Sequence, residues 1–329
     1  MLDVSVALCT HNGASYVEKQ LQSIFAQTML PKQIVISDDA SSDDTVAVIE
    51  SVVHRLTLAS RSDPIEITIV RNPVALGVAK NFEQAMRLCR GDLIALCDQD
   101  DIWRVDRVEY AVVRFEADTG LDLVHSDARL VDESDASLGL TLFEALEISD
   151  AERKAIEDGN GFDTLLRRNL ATGATMMVKR ALYQRAMPFP SVWVHDEWLA
   201  VIGAATGHID LTTELLIDYR QHGRNQIGVR KLGMVGKVRR ILEPRGERNV
   251  YLAERAKILL QRLEELGAAV PGDRLEQVRQ KVDHQNVRAG LPDARIARVV
   301  PVLREAATGR YSRFSRGSGD VLRDLLQVA

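Results

Sequence analysis

The sequence predicts an α/β domain, a mostly parallel sheet with helices on both faces, followed by a C-terminal α-helical domain. Three observations predict it. Short unbroken apolar runs alternate with helical periodicity through the first 126 residues, the pattern of strands buried on both faces. Acidic and polar residues gather where three of those runs end, the edge at which open α/β sheets bind ligands. From about Val229 the runs give way to long segments rich in Arg, Leu, Glu and Ala.

Val4–Cys9 is the first apolar run, and Thr10–Gly13 is a turn. Val17, Leu21, Ile24 and Phe25 recur at i, i+4, i+7 and i+8, one face of a helix that ends before Pro31. Gln33–Ser37 is a second strand. Polar Asp38–Asp44 follows, with Ser41 or Ser42 placed to cap the helix marked by Val46, Ile49 and Val53. Ile65–Val70 is a third strand, and Gly77–Arg90 a helix with Phe82, Ala85, Met86 and Cys89 on one side. Asp92–Cys97 and Leu121–Ser126 are strands four and five, separated by a helix over Arg104–Ala117. Beyond them, Phe162–Arg168 and Asp196–Ala205 read as helices and Ala174–Val178 as a strand. Ile209–Leu211 and Leu215–Tyr219 read as a closing pair of strands. In the tail, Arg248–Leu266, Arg274–Arg288 and Ala294–Ala307 read as helices punctuated by Gly267, Pro271–Gly272 and Leu291–Pro292. The domains are therefore expected over 1–228 and 229–329.

Composition narrows the class. At 329 residues the chain fits one large or two modest domains. With 46% apolar and 27% charged residues it is not a disordered chain, and its net charge of −5 is too near balance to suggest nucleic acid. Charge is unevenly placed: residues 1–230 hold 22 Lys and Arg against 35 Asp and Glu, whereas residues 231–329 hold 20 against 12. An acidic catalytic body and a basic tail follow. Cys9, Cys89 and Cys97 form no C-x-x-C pair and lie in or beside apolar runs, as buried reduced thiols of a cytoplasmic protein would. Met1–Leu8 has no signal-peptide character. No stretch reaches the roughly 18 apolar residues of a spanning helix, so any membrane contact is peripheral.

The chemistry concentrates in a few turns. Asp98, Asp100 and Asp101 crowd the end of the fourth strand, and such like charge calls for a hard cation, Mg²⁺ or Mn²⁺, which suits a diphosphate. Asp98 and Asp100 have the spacing to face one way from an extended strand end. Asp39, more than Asp38, is placed to accept from a base N–H or a ribose hydroxyl. Thr10, His11, Asn12 and Gly13 offer backbone donors and a ring on which a nucleobase stacks. His195-Asp196-Glu197-Trp198 opens a helix, and the flanking Trp193 and Trp198 lower local polarity, which suits Asp196 or Glu197 as a general base. In the run Tyr219–Gln226, His222 is a candidate metal or phosphate contact, and Arg220 or Arg224 a candidate for diphosphate oxygens. There is no P-loop, no G-x-G-x-x-G after the first strand, no G-x-S-x-G elbow and no zinc spacing.

Taken together, Ala7–Gly13, Ser37–Thr45, Leu76–Phe82, Cys97–Trp103, His195–Leu199 and Tyr219–His222 resemble the family 2 glycosyltransferases, in family order over about residues 1–228. The rhamnosyltransferase-like branch is the most similar, and Gly309–Phe314 resembles the tail of such enzymes. The resemblance implies the GT-A fold, a Rossmann-like sheet. It implies that Thr10, His11 and Asp39 contact the base or ribose, with Asn81 and Arg220 also on the donor. Asp98 would bind the ribose or the metal-bound nucleotide. Asp100 would ligate the metal, with Asp98 and His222 beside it, and Asp196 would be the base, with Glu197 as the alternative. His11 stands where the family usually carries Tyr.

The implied activity is inverting transfer from a nucleoside-diphosphate sugar, dTDP-rhamnose or a UDP-sugar. The acceptor would be a glycan or lipid-linked hydroxyl in cell-surface polysaccharide synthesis. Two other classes are a nucleotidyltransferase making the sugar nucleotide and a non-catalytic nucleotide- or glycan-binding scaffold. The first normally needs a basic phosphate loop that Thr10–Ser15 lacks, and the intact carboxylates oppose the second. In the tail, Arg239, Arg240, Arg245, Arg248 and Arg255 either hold the protein on the anionic inner face of the membrane, at about 1 kcal/mol per residue, or pair internally while apolar faces pack between helices or subunits.

Overall fold

The computed structural model describes residues 2–59, 64–222 and 244–327. They fall into two compact units, one within 1–159, 170–203 and 207–230, the other within 160–169, 204–206 and 231–329. The expected boundary at 228/229, together with Arg224, Arg239 and Arg240, lies outside the described residues.

The first unit is a nine-stranded sheet. Strands β1 (Val4–Thr10), β2 (Gln33–Asp38), β3 (Glu66–Arg71) and β4 (Leu93–Asp98) lie parallel in the order β3-β2-β1-β4. Every residue of β1 and β2 is buried, which is why these runs carry no polar alternation. Buried Ser5 is satisfied across the sheet, donating to Gln33 Oε1 (2.8 Å) and accepting from the Gly91 amide (2.9 Å). Helices α1 (Val17–Phe25), α2 (Thr45–Ala59) and α3 (Val78–Leu88) connect these strands. α1 buries Val17, Leu21 and Ile24 as its periodicity predicts. Neither Ser41 nor Ser42 caps α2: Asp43 Oδ1 accepts from the Thr45 amide (3.1 Å), and Ser41 Oγ is bonded to Asp38.

Beyond β4 the sheet is mixed. β5 (Ile102–Trp103) follows the acidic turn, α4 is Arg107–Ala117, and β6 (Leu121–Val131) runs longer than its apolar core. β6 pairs with β7 (Ser137–Thr141) and β8 (Met176–Lys179) antiparallel and with β9 (His208–Arg220) parallel. The expected closing pair of strands is the single strand β9. Ser126 pairs with Thr212 but Asp127 with Leu215, so Thr213 and exposed Glu214 bulge out and interrupt the apolar pattern. Short helices α5 (Leu142–Ala145) and α6 (Asp150–Glu157) each begin with a capping box, from Thr141 and Ser149. α7 (Gly161–Arg167) belongs to the second unit, and α8 (Arg180–Ala186) leads to α9 (His195–Thr206). Residues 198–205 of α9 are buried all round, so its first turn is held by the core. Cys9, Cys89 and Cys97 are free and buried, as their setting predicts.

The second unit contains α10 (Arg248–Leu266), α11 (Gly272–Ala289), α12 (Arg295–Ala307), α13 (Arg310–Phe314) and α14 (Ser318–Leu326). Beside the apolar cluster of Leu291, Val302 and Tyr311 lies a polar one. Arg288 Nε donates to Asp324 Oδ2 (2.6 Å) and its Nη1 to Ser315 Oγ (2.8 Å); Tyr311 donates to Asp324 Oδ2 (2.8 Å). His284 joins Glu305 Oε1 (2.8 Å) to Ser315 Oγ (2.9 Å). Several arginines that make the tail basic therefore point inward: Arg288 and Arg298 are buried, Arg245 donates to the Leu291 carbonyl (2.6 Å), and Arg248 faces Asp320. No described helix is long and apolar enough to cross a membrane.

Arg288→Met strands the Asp324 charge in this core. Removing one partner of a buried pair costs about 3–5 kcal/mol, so hydrogen exchange of the full-length protein should show protection lost in α11 and α14 while β1 and β4 keep theirs.

Candidate active site

Three strand ends and their loops are stitched together. Asp38, last in β2, accepts from Thr10 Oγ1 (2.8 Å), Ser41 Oγ (2.5 Å) and the Ser41 amide (2.9 Å). The Gln99 side chain clasps His11, accepting from its amide (2.9 Å) and donating to its carbonyl (3.0 Å). The clasp runs so close to Gly13 that a Cβ there would lie 2.0 Å from Gln99 Oε1. The exposed His11 ring is set in one tautomer: Nδ1 donates to the Asp39 carbonyl (2.7 Å), leaving Nε2 to accept from Asn12 Nδ2 (3.1 Å). The Asp39 carboxylate anchors the loop before α3, accepting from the Leu76 (2.7 Å) and Gly77 (2.9 Å) amides and from Asn72 Nδ2 (3.1 Å).

Next to this loop cluster is the acidic turn. Asp98 ends β4, and its carboxyl is pushed up to about 7, first by burial, then by repulsion from Asp100 and Asp196, against the pull of Arg107. Asp101 is buried and also raised, mainly by burial and then by Asp100; its Oδ1 accepts from the Arg220 amide (3.0 Å), and its Oδ2 has no hydrogen-bond partner. Asp100 Oδ2 lies 2.7 Å from His222 Nε2, whose ring stacks on Tyr16 at 5.0 Å and 4°. Arg107 lies buried against Trp103, 3.9 Å above its ring, and donates to the carbonyls of Ala174 (2.8 Å) and Leu96 (3.3 Å). Burial lowers it to about 10, so it remains a cation beneath the acids.

On the other side stands the first turn of α9. Asp196 Oδ2 accepts from the Gly173 amide (3.0 Å) and Oδ1 from the Glu197 amide (2.6 Å). Its charge reaches Asp98, so the two carboxylates share one electrostatic environment. His195 stacks on Phe82 at 4.0 Å, and burial pushes it down to about 3, which keeps the ring neutral. Trp198 donates to the Ala186 carbonyl (2.7 Å) and packs near Trp193, so the tryptophans anchor α9.

Three expected donor contacts are turned inward instead. Arg220 is buried: it donates to the carbonyls of Asp100 (2.8 Å) and Asp132 (2.9 Å) and pairs with Asp135 (2.5 Å), so it braces the acidic turn rather than offering a free guanidinium to phosphate. Asn81 is buried and bonded to Ser37 through both amide atoms, at 2.7 and 2.9 Å, tying α3 to β2. Thr10 is likewise buried, its hydroxyl directed to Asp38. The expected metal trio is not brought together. Asp100 and His222 meet, but among the described residues no three His, Cys, Asp or Glu groups converge to hold an ion by themselves. Gln99, Arg107 and Tyr16 are the residues that sequence reasoning missed. Only Arg107 leaves a trace, a charge in the helical phase of Ala111 and Phe115.

In sequence and in fold the chain is similar to known glycosyltransferases. A family model described as glycosyl transferase family 2 matches residues 5–181. The chain is 35% identical over 109 residues to the dTDP-rhamnosyl transferase RfbG of Shigella flexneri, covering 32% of this chain and 35% of that one. It spans less than two thirds of the length of the first curated relatives it matches. Residues 1–349 of S. aureus TarS, solved with UDP-GlcNAc, superpose with a TM-score of 0.61 at 14% identity, covering 99% of this chain and 90% of that one. The mannosyltransferase PcManGT from Pyrobaculum calidifontis, solved with GDP-Man and Mn²⁺, gives 0.52 at 16% identity, covering 95% and 78%. These likenesses show the fold.

The raised Asp98 carboxyl makes a prediction for the unliganded protein. The folded state keeps this proton longer than the unfolded state, so stability is lost as pH rises from about 4 to about 7. Asp98→Asn should remove that loss. Its stability gain over wild type, read from urea midpoints, should be small near pH 4 and on the order of 2–4 kcal/mol near pH 8.

Proposed function

Since the chain belongs to glycosyl transferase family 2, we propose that it moves a sugar from a nucleoside-diphosphate donor, dTDP-rhamnose or a UDP-sugar, to a hydroxyl of a glycan or lipid-linked acceptor. Inversion at the anomeric carbon and dependence on Mg²⁺ or Mn²⁺ are part of this reading. So is a cytoplasmic site of action, in solution or at the inner face of the membrane. The observation that carries it is that Asp98 at the end of β4 and Asp196 at the start of α9 lie within electrostatic reach of one another. One stands among nucleotide-side loops, the other on a buried helix, with a shared electrostatic environment. That supplies a donor side and a proton-accepting side for one displacement.

The residues present fit a divalent ion held only in part by protein. Asp100 and His222 would hold it, and a diphosphate and water would complete the shell, the arrangement Mg²⁺ usually takes. Such an ion, when bound, supplies neutralisation of the charge on the departing diphosphate. Exposed His11 offers its face to the base, with Asp39 and Asp98 nearby for base and ribose. The acceptor oxygen attacks the anomeric carbon, the bond to the diphosphate oxygen breaks, and the hydroxyl proton passes to Asp196. The amides of Gly173 and Glu197 fix that carboxylate before the acceptor arrives.

Turnover of the full-length enzyme with nucleotide sugars tests the reading. Release of a nucleoside diphosphate is expected; release of pyrophosphate would instead mark a nucleotidyltransferase. Asp196→Asn should lower kcat about 10²–10⁴-fold with donor affinity nearly unchanged, and a large loss in Glu197→Gln alone would move the base by one residue.

Asp100→Asn should lose both turnover and the metal-dependent part of nucleotide binding, read by calorimetry with and without Mn²⁺. Full activity of that variant in excess chelator would overturn the metal-assisted mechanism.

A further inference from the structure

Helix α12 reverses the usual surface pattern. Its inward face carries buried Arg298 and Glu305 with Val302. Its outward face carries Ile296, Val299, Val300 and Leu303, which are 90%, 41%, 54% and 54% exposed. That spacing, i, i+3, i+4 and i+7, makes one continuous apolar stripe. The helix is not free to roll the stripe inward. Arg298 donates to the carbonyls of Pro292 (2.6 Å), Asp293 (2.6 Å) and Gln327 (2.7 Å), and Glu305 is bonded to His284 (2.8 Å).

We propose that this stripe is the contact surface for a second copy of this chain, with the two α12 helices antiparallel about a two-fold axis near Val299 and Val300. In that register Ile296 meets Leu303 of the other copy and Val299 meets Val300. The stripe is its own complement, as an isologous interface requires. The ends agree in charge. Arg304 in the last turn comes beside the start of the other helix, where Asp293 precedes it. Both residues are exposed, though Asp293 also lies within electrostatic reach of buried Arg298, which donates to its carbonyl. Parallel pairing would set Arg304 against Arg304 instead, whereas antiparallel pairing also opposes the helix dipoles. An anionic lipid surface matches the ends less well, because Asp293 would face its headgroups.

Sedimentation equilibrium of the full-length protein from nanomolar to micromolar concentration is the test. Wild type should dimerise. Ile296→Glu combined with Leu303→Glu should weaken association at least about tenfold, with circular dichroism unchanged. Arg304→Glu and Asp293→Arg should each weaken the dimer, and the double variant should regain it, since the swap restores both pairs. The proposal is overturned by a wild type that stays monomeric throughout, by a dimer that survives the two glutamates, or by charge reversals that do not rescue one another. A monomer that co-sediments with phosphatidylserine vesicles through the same stripe also overturns it and makes the face a membrane surface.

Discussion

Asp98, Asp100 and Asp101 follow directly on a strand whose first five residues are buried, so three carboxyl groups share a poorly solvated region. Two buried arginines accompany them, and neither forms a bidentate pair with these acids. Arg107 donates to the carbonyls of Leu96 and Ala174, and Arg220 to those of Asp100 and Asp132. Each places positive charge near the acids through a backbone contact. The carboxyl of Asp98 is thereby steadied without being consumed by a fixed ion pair. A tight Arg–Asp fork would lower the charge problem further, but it would take up the oxygens that a ligand needs.

Rigidity on the opposite side has a different origin. α9 is buried through eight successive residues, so the core fixes the direction in which its first turn points. The indole of Trp198 and the neutral ring of His195 lock that turn to Ala186 and Phe82. Arg107 reaches the same side, because the Ala174 carbonyl it holds follows Gly173, whose amide binds Asp196. A single buried cation thus braces both the strand that ends in Asp98 and the turn that orients Asp196. This is the positioning that catalysis by proximity demands.

Much of the first unit was legible because its signals are local. Buried strands announce themselves as apolar runs, and polar turns at their ends mark the ligand edge, as with Thr10, Asp38 and Asp98. What stayed hidden depends on partners far apart in the chain. Arg220 looked like a phosphate ligand because its sequence neighbours are polar; its own carbonyl partners lie near positions 100 and 132. Asn81 sat in a recognisable segment, yet its bonds to Ser37 make it a strut. The bulge at Thr213 and Glu214 broke one strand into two short apolar runs. In the tail, arginine content suggested a basic surface, but composition does not report which face of a helix an arginine takes. Arg288 and Arg298 went inside, where a network rather than apolar volume fills much of the core.

The clasp between Gln99 and His11 also bears on how this sequence can change over time. A side chain at position 13 must displace the Gln99 amide, since the new carbon would fall on its oxygen, and so disturbs the two hydrogen bonds Gln99 makes with His11. Position 99 is bound in turn by the two backbone groups it satisfies. One order of events is therefore the easier: a residue larger than glycine enters position 13 at lower cost once the residue at 99 has shortened or left. Lineages descending from this sequence would tend to carry the two positions as a linked pair, with the intermediate that changes 13 first burdened by the loss of the clasp on His11.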